Sequence, residues 1–134
     1  MVHLAEAVLF ANETFYAAFV QGDFRTMAAL WAEDRPVTCL HPGWEALQGR
    51  DQVLASWQAI LRQPPKLRCL AAQAVLTGED AAYVLCYEVM QDTILVATNI
   101  FVRQNKLWRM VHHQSGPTRA APPQENAPDR GRAN

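Results

Sequence analysis

The chain has 134 residues, of which 50% are hydrophobic and 19% are charged, so it is long enough for one packed domain and too short for two ordinary ones. Its 12 Lys and Arg residues balance 13 Asp and Glu residues, which leaves a net charge of -1. Nucleic-acid-binding proteins need a basic excess to neutralise phosphates, so we predict no nucleic-acid partner. The hydrophobic fraction exceeds the need of one small core and predicts further apolar surface that something else covers.

The cysteine content and the N-terminus bear on location. Cys39, Cys69 and Cys86 are an odd number without CxxC spacing, which favours free buried thiols in a reducing compartment. The N-terminus lacks the basic region of a signal peptide, and no apolar run approaches the about 18 residues of a membrane span. We therefore expect a soluble cytoplasmic protein without membrane contact.

Helical spacing dominates the first half of the chain. Apolar residues recur at helical spacing over residues 4–21, Gly22 suits the end of that helix, and Asp23 can cap a second, short helix. A β-type run over residues 37–40 then leads into the turn HPGW. A third helix opens at GRD, where an acid favours the helix dipole, and it stops before two consecutive prolines.

The second half changes to β-branched and aromatic runs separated by turn residues. We predict four strands joined as an antiparallel meander, at about residues 66–77, 81–90, 93–104 and 107–114. The domain is expected to span residues 1–115. Residues 116–134 hold no aromatic side chain and no aliphatic one larger than Ala, so we predict a disordered Pro/Ala/Arg-rich tail.

The predicted hairpins set a register for the last three strands. A two-residue turn at Asn105-Lys106 and another at Gln91-Asp92 define the cross-strand neighbours. The resulting pairs, all on one face, are Asn99 with His112, Phe101 with Met110, Arg103 with Trp108, Val84 with Asn99, Cys86 with Ala97, and Glu88 with Leu95. In this register His113 points to the opposite face, and Arg103 can stack on Trp108.

Both faces of this sheet are largely apolar, whereas a sheet with one solvated face would alternate cleanly between apolar and polar residues. One face is expected to pack on the helices and the other to meet a second copy of the chain, so we predict a homodimer through the outer sheet face. Glu88, Asn99 and His112 are polar residues on the inner face. Since buried polar groups need partners or a ligand, they predict a mostly apolar ligand pocket.

The order of these elements resembles the nuclear transport factor 2-like superfamily and, within it, the SnoaL-like branch. The segments that carry the resemblance are FANETFYAAFVQGDFRTMAALWAE, CLHPGW, LQGRDQVLASW, CYEV and ATNIFVRQNKLWRMVHH. Together they cover roughly residues 4–115. The closing strand pair and HPGW are the most specific of them.

The resemblance implies an α+β, cone-like fold in which three N-terminal helices pack on a curved, mainly antiparallel sheet, a cystatin-like topology, usually in a dimer. The superfamily includes ketosteroid isomerases, polyketide cyclases and dehydratases, and also members that only bind or assemble. Its enzymes commonly use an acid or a histidine in the cavity. The strand-borne aspartate of the isomerases has no counterpart here, and Glu88 is the only acid inside a predicted strand. Fold alone therefore does not decide function.

The candidate catalytic residues are His112, which titrates near neutral pH, and Glu88. Each also has a structural reading, as a histidine bonded to a neighbour and as an acid in a salt bridge. The expected pocket residues are His41, Trp44, Trp31, Tyr16, Asn99, Phe101, Trp108 and Met110. Trp57 is expected in the core.

We predict no metal and no cofactor. Adjacent strand residues cannot both aim at one ion, which argues against a site built on His112 and His113; a site of His41 with His112 stays the alternative. The six glycines form no phosphate loop, and no nucleophile elbow surrounds Ser115.

Two functions fit these features. The first is a non-catalytic dimeric domain whose pocket binds a small apolar molecule. The second is an isomerase, cyclase or dehydratase, in which His112 or Glu88 moves a proton beside the carbonyl of a small hydrophobic or polyketide-like substrate while Asn99, alone or with His41, holds the oxygen.

Overall fold

The computed structural model describes residues 2–122. The predicted tail therefore lies largely outside the described residues, which end before residue 123.

Three helices precede most of the sheet, as predicted: α1 (Val2–Gln21), α2 (Phe24–Leu30) and α3 (Arg50–Ile60). The corner between α1 and α2 depends on Gly22, which has a φ of +68°. A Cβ atom there would lie 2.9 Å from the Leu61 carbonyl oxygen, so a larger residue would push α1 away from the end of α3. Asp23 caps α2, because its Oδ1 accepts from the Thr26 amide at 3.1 Å.

In the part of the chain that the structure describes, six strands form one sheet: β1 (Thr38–Leu40), β2 (Leu47–Gln48), β3 (Arg68–Leu76), β4 (Ala81–Val89), β5 (Ile94–Gln104) and β6 (Leu107–Pro117). Their order is β2-β1-β6-β5-β4-β3, with β1 parallel to β6 and the other pairs antiparallel. The predicted meander of β3 to β6 is confirmed. The two-residue β2 was missed because so short a strand has no readable period, and β6 continues to Pro117, three residues beyond the predicted end.

The predicted register is confirmed between β4 and β5, where Val84 pairs with Asn99 and Glu88 pairs with Leu95. Between β5 and β6 it holds only near the turn, for Phe101 with Met110 and for Arg103 with Trp108. The turn residues Asn105 and Lys106 both have positive φ, as a tight hairpin requires.

Beyond Phe101 the predicted register is wrong. The pairing shifts between Ile100 and Phe101, so Val111 has no cross-strand partner and Asn99 pairs with His113 instead of His112. One extra residue in β6 forms a bulge of this kind. As a consequence, His113 points to the inner face and His112 to the outer one.

A second register shift lies in β3 between Leu70 and Gln73, where Ala71 has a φ of +58°. Bulges bend a strand and increase its twist, so the two shifts account for the curvature of the sheet around α1. The α+β fold with three helices on a curved, mainly antiparallel sheet is therefore confirmed. No helix within residues 2–122 is both long and apolar enough to cross a membrane.

The inner face of the sheet is buried against the helices, and among the described residues no helix covers the outer face. Trp31, Phe101 and Met110 are fully buried in the central core, and Trp57, as expected, is too. On the outer face Leu85 and Val96 remain 39% and 40% exposed. The apolar surplus of the composition therefore lies partly on this open sheet face.

Candidate functional site

A cavity of about 220 Å³ lies between the C-terminal ends of α1 and α3, the HPGW turn and the inner face of the sheet. Its wall is mainly apolar, with Phe19, Trp44, Ile60, Leu67, Met90 and Leu95 among the lining residues. Four polar side chains also face it: His41, Glu88, His113 and Ser115. Such a lining, apolar with a few converging polar groups, is typical of a small-molecule site.

Glu88 and His113 lie side by side in this cavity. The distance from Glu88 Oε2 to His113 Nε2 is 3.9 Å, and the two side chains are only 2% and 1% exposed. Glu88 reaches the position from β4 and His113 from β6, although β5 lies between these strands. The bulge at Val111 brings the second residue of the His112-His113 pair to this face.

Burial raises the pKa of the Glu88 carboxyl. The Tyr16 hydroxyl opposes this rise in part, because its Oη donates to Glu88 Oε2 at 2.6 Å. The Ser115 hydroxyl also lowers the pKa of Glu88, although Ser115 Oγ has no hydrogen-bond partner of standard geometry within the described residues. The net upward shift favours the protonated acid.

Burial, together with the smaller effect of the charges of His41 and His112, lowers the pKa of His113 to about 3. The ring is therefore neutral at ordinary pH. Its Nδ1 lies 2.6 Å from Asn99 Oδ1, and its face tilts against the Phe15 ring at 5.0 Å between centroids. These contacts hold the ring in one orientation.

Asn99 is fully buried, and both polar atoms of its side-chain amide have hydrogen-bond partners. Besides the contact with His113, its Nδ2 donates to Asn12 Oδ1 at 2.9 Å and to Tyr16 Oη at 3.2 Å. Tyr16 Oη is also 3.3 Å from the Cys86 thiol. Asn99 thus has no free donor to hold a substrate oxygen, which corrects the role expected from the sequence.

His41 directly follows β1 and lines the cavity beside Trp44 and α3. Its Nε2 is 2.9 Å from Ser56 Oγ, and its ring meets Trp44 and Trp57 edge-on at 4.8 Å between centroids in each case. Burial lowers the pKa of His41 to about 4. Since His41 and His113 are both neutral, the cavity carries no histidine charge.

The structure brings some of the predicted site residues together and separates others. Glu88, His41 and Trp44 line the cavity, and Tyr16 and Asn99 lie directly behind Glu88 and His113. His112 does not line it. Its ring is half-buried on the other face, with Nδ1 2.6 Å from Thr38 Oγ1.

Four of the expected pocket residues are core residues instead. Trp31, Phe101 and Met110 are fully buried and do not reach the cavity. Trp108 lies at the opposite end of the sheet, in a groove beside Phe10, where the Arg103 guanidinium sits 5.8 Å from its ring as predicted. For the three strand residues the reason is geometric: at about 3.3 Å per residue, the inner-face side chains of an 11-residue strand are spread over roughly 27–30 Å, and only those at one end meet the cavity.

His113 and Ser115 are the polar cavity residues that were not predicted from the sequence. Both side chains face the cavity because the register of β6 shifts by one residue at Val111. The only sequence signal for this was the pair of adjacent histidines, either of which could face inward. A larger concavity of about 790 Å³, open to the surface, adjoins the cavity at Pro65, Leu67 and Met90. Its wall contains no acid and no histidine, and its charged side chains are Lys66 and Arg68, so a carboxyl group and imidazole rings occur together only in the smaller of these two cavities.

Within residues 2–122 no three His, Cys, Asp or Glu side chains are arranged to hold a metal ion. The alternative site of His41 with His112 does not form, since His113 and not His112 faces His41, at 6.3 Å between ring centroids.

Comparison with known proteins gives the family. A model of the SnoaL-like domain matches residues 8–119. A solved structure from Streptomyces avermitilis, provisionally named a dehydratase of the NTF2-like family, is 33% identical, with a TM-score of 0.78 over 87% of this chain and 96% of that one. Matched structures with a cystatin-like fold, at 15% and 18% identity, show the fold alone.

Two further relatives have different names. A solved structure from Thiobacillus denitrificans, provisionally named a calcium/calmodulin-dependent protein kinase type II association domain, is 31% identical over 81% of this chain and 93% of that one, with a TM-score of 0.65. The F-box protein SKIP8 of Arabidopsis thaliana is 26% identical over 81% of this chain, which spans about half (48%) of that protein. With the family model covering most of its length, this chain belongs to the SnoaL-like domain family of the NTF2-like superfamily.

Proposed function

We propose that this domain binds a small, largely apolar carbonyl compound in the cavity and transfers a proton with Glu88 and His113. The observation that carries the proposal is the position of the two groups, 3.9 Å apart and buried in one cavity. The volume of about 220 Å³ is below the roughly 300–1,000 Å³ of pockets for drug-sized ligands, so the compound is small.

The two residues have complementary roles. The neutral His113 ring takes a proton from the carbon next to the carbonyl, and the protonated Glu88 gives a proton to the oxygen that accepts negative charge or leaves. For a β-hydroxy carbonyl compound this removes one proton and one hydroxide and releases water, which is a dehydration. The provisional dehydratase name of the Streptomyces relative supports this direction. Proton transfer of this kind needs no cofactor.

The test is turnover of a panel of small β-hydroxy ketones, followed by the absorbance of the conjugated product. We expect Glu88→Gln and His113→Asn each to lose about 10²- to 10⁴-fold in rate, the usual contribution of a general acid or base. His112→Asn is the matched control, because His112 does not line the cavity, and its rate should equal that of the wild type. Equal losses in all three variants, or no turnover by the wild type, would refute the catalytic role.

The second candidate is a non-catalytic binding or assembly module. Its support is that Glu88 and His113 are almost completely shielded from solvent, together with the likeness to the structure named as an association domain. The same panel separates the two: ligands that change tryptophan fluorescence without being converted favour the binding module.

We also propose that the chain forms a homodimer through the outer sheet face. The support is the exposure of Leu85 and Val96 at the centre of a face that no helix covers, since the three helices pack on the inner face. Cytoplasmic location stays a prediction from the sequence.

A further inference from the structure

Asn99 and Asn12 form a buried amide chain behind the proposed catalytic histidine. Asn12 extends from α1 and is 1% exposed, and Asn99 extends from β5 and is 0% exposed. Neither side chain lines the cavity. Their polar atoms nevertheless form an unbroken series of contacts that ends at His113 Nδ1.

The direction of this chain is fixed from its far end. Tyr16 has one hydroxyl proton, which it donates to Glu88, so its oxygen can only accept from Asn99. This requires Asn99 Nδ2 to face Tyr16 and Asn12. The orientation of the Asn12 amide is consistent with this, because its Nδ2 donates to the Cys69 thiol at 3.7 Å and its Oδ1 accepts from Asn99.

Asn99 Oδ1 therefore faces His113 Nδ1. An amide oxygen can only accept, so the proton of the neutral imidazole must be on Nδ1. The lone pair is then on Nε2, the ring nitrogen on the side of Glu88. The orientation of one amide decides which ring nitrogen can act as a base.

We propose that Asn99, oriented by Asn12 and Tyr16, is a positioning residue that holds His113 in the Nδ1-protonated tautomer with the Nε2 lone pair directed into the cavity. The inference deepens the proposed function and rests on it for its catalytic meaning. A partner that selects the tautomer from behind the ring has a large effect on a histidine base, because the wrong tautomer has its proton where the lone pair is needed. It also explains why two polar amides are buried among apolar residues, where only satisfied polar groups are tolerated.

The experiment is NMR of the full chain with isotope-labelled histidine, which distinguishes protonated from unprotonated ring nitrogens. In the wild type at neutral pH we expect His113 to have its proton on Nδ1 and none on Nε2. A proton on Nε2 would overturn the proposal.

Variants of Asn12 test the chain without touching the cavity. Asn12→Ala removes the acceptor of Asn99 Nδ2, so the single tautomer should be lost and both forms should appear. Asn12→Asp keeps an acceptor oxygen at that position and should restore the single tautomer. Thr14→Ala is the control, because the Thr14 hydroxyl donates to the Phe10 carbonyl on the exposed face of the same helix, away from Asn99. A single Nδ1-protonated form in Asn12→Ala would show that the chain does not select the tautomer.

This readout does not depend on turnover. The expected tautomer in a protein that converts no β-hydroxy ketone would refute the proposed function and leave the positioning role of Asn99. Turnover that needs His113 while the proton is on Nε2 would refute the positioning role alone.

Discussion

The Nε2 atom of His113 lies 3.9 Å from the Oε2 atom of Glu88, in a cavity where both side chains are at most 2% exposed. Burial raises the pKa of the acid and lowers the pKa of the histidine, so it disfavours the charged form of each. Because the histidine is neutral at ordinary pH, the contact is not a salt bridge between two charged groups.

The hydroxyl of Tyr16 is predicted to tune the acid of this pair. It donates to the Glu88 carboxylate and so stabilises the ionised form. Tyr16→Phe removes this donor at nearly constant volume, and the pKa of Glu88 should rise. An NMR titration of the labelled Glu88 carboxyl measures the shift.

Tyr83→Phe is the matched control for this substitution, because Tyr83 is on the outer face and pairs with Ile100 and Val75, away from the cavity. In the control, the pKa of Glu88 should equal that of the wild type. An unchanged or lowered pKa in Tyr16→Phe would mean that the tyrosine hydroxyl does not donate to the carboxylate.

Most of the fold could be predicted from local pattern. Helix periodicity, the Asp23 cap and the Asn105-Lys106 turn each depend on residues close in sequence, and all three are confirmed. The parallel pairing of β1 with β6 could not be predicted, because it joins Thr38 to His112 across 74 residues and no local rule specifies it.

The site was predictable only in part, because one residue decided it. Glu88 was placed correctly because the β4–β5 turn fixes its register. The Val111 bulge cannot be seen in the residue pattern, since Val111 reads as an ordinary strand residue, yet it exchanges His112 for His113. A one-residue step in a strand moves every later side chain to the other face.

The two buried histidines of the cavity predict a loss of stability in acid. The unfolded chain binds their protons below about pH 6.5, whereas the folded protein binds them only near pH 4 for His41 and pH 3 for His113. The stability that the two neutral histidines contribute is fully present above about pH 6.5. It is lost as the pH falls from there through pH 4 for His41 and pH 3 for His113. It amounts to about 3 kcal/mol for His41 and about 5 kcal/mol for His113 when the loss is complete. Urea unfolding at a series of pH values measures it.

His41→Gln should make this pH dependence shallower, because one titrating group is removed. Ser56→Ala is the control: it deletes the hydroxyl 2.9 Å from His41 Nε2 but keeps the histidine, so stability should fall at every pH with the slope retained. A slope in His41→Gln as steep as in the wild type would contradict the buried neutral state of His41.

Truncation of Trp44 should weaken ligand binding, whereas truncation of Phe101 should lower the stability of the fold. Trp44 lines the cavity and is 48% exposed, whereas Phe101 is fully buried in the core. Phe101→Ala should cost about 3–5 kcal/mol of the free energy of unfolding, and Trp44→Ala much less. Calorimetric titration with cyclohexanone, a small apolar carbonyl compound, should show weaker binding to Trp44→Ala. The milder Phe101→Leu should remain folded and bind as the wild type does. Weaker binding to Phe101→Leu alone would place the ligand elsewhere.

The outer sheet face is predicted to mediate dimerisation. Val96 pairs with Tyr87 near the middle of this face and is 40% exposed. A dimer through the face would bury about 800 Å² per partner, and a charge at its centre would be desolvated without a partner. Light scattering at micromolar concentration should therefore give twice the 15.0 kDa chain mass for the wild type and 15.0 kDa for Val96→Glu.

Phe10→Glu separates this effect from a general effect of added charge. Phe10 is 69% exposed on α1, and the helices cover the other face of the sheet, so this variant should remain dimeric. A dimer that persists in Val96→Glu and dissociates in Phe10→Glu would move the interface to the groove beside Trp108, which Phe10 and Leu107 also line. A wild-type mass of 15.0 kDa would instead leave the exposed face of β4 and β5 without a second copy, and the apolar surplus of the sequence would then need another partner.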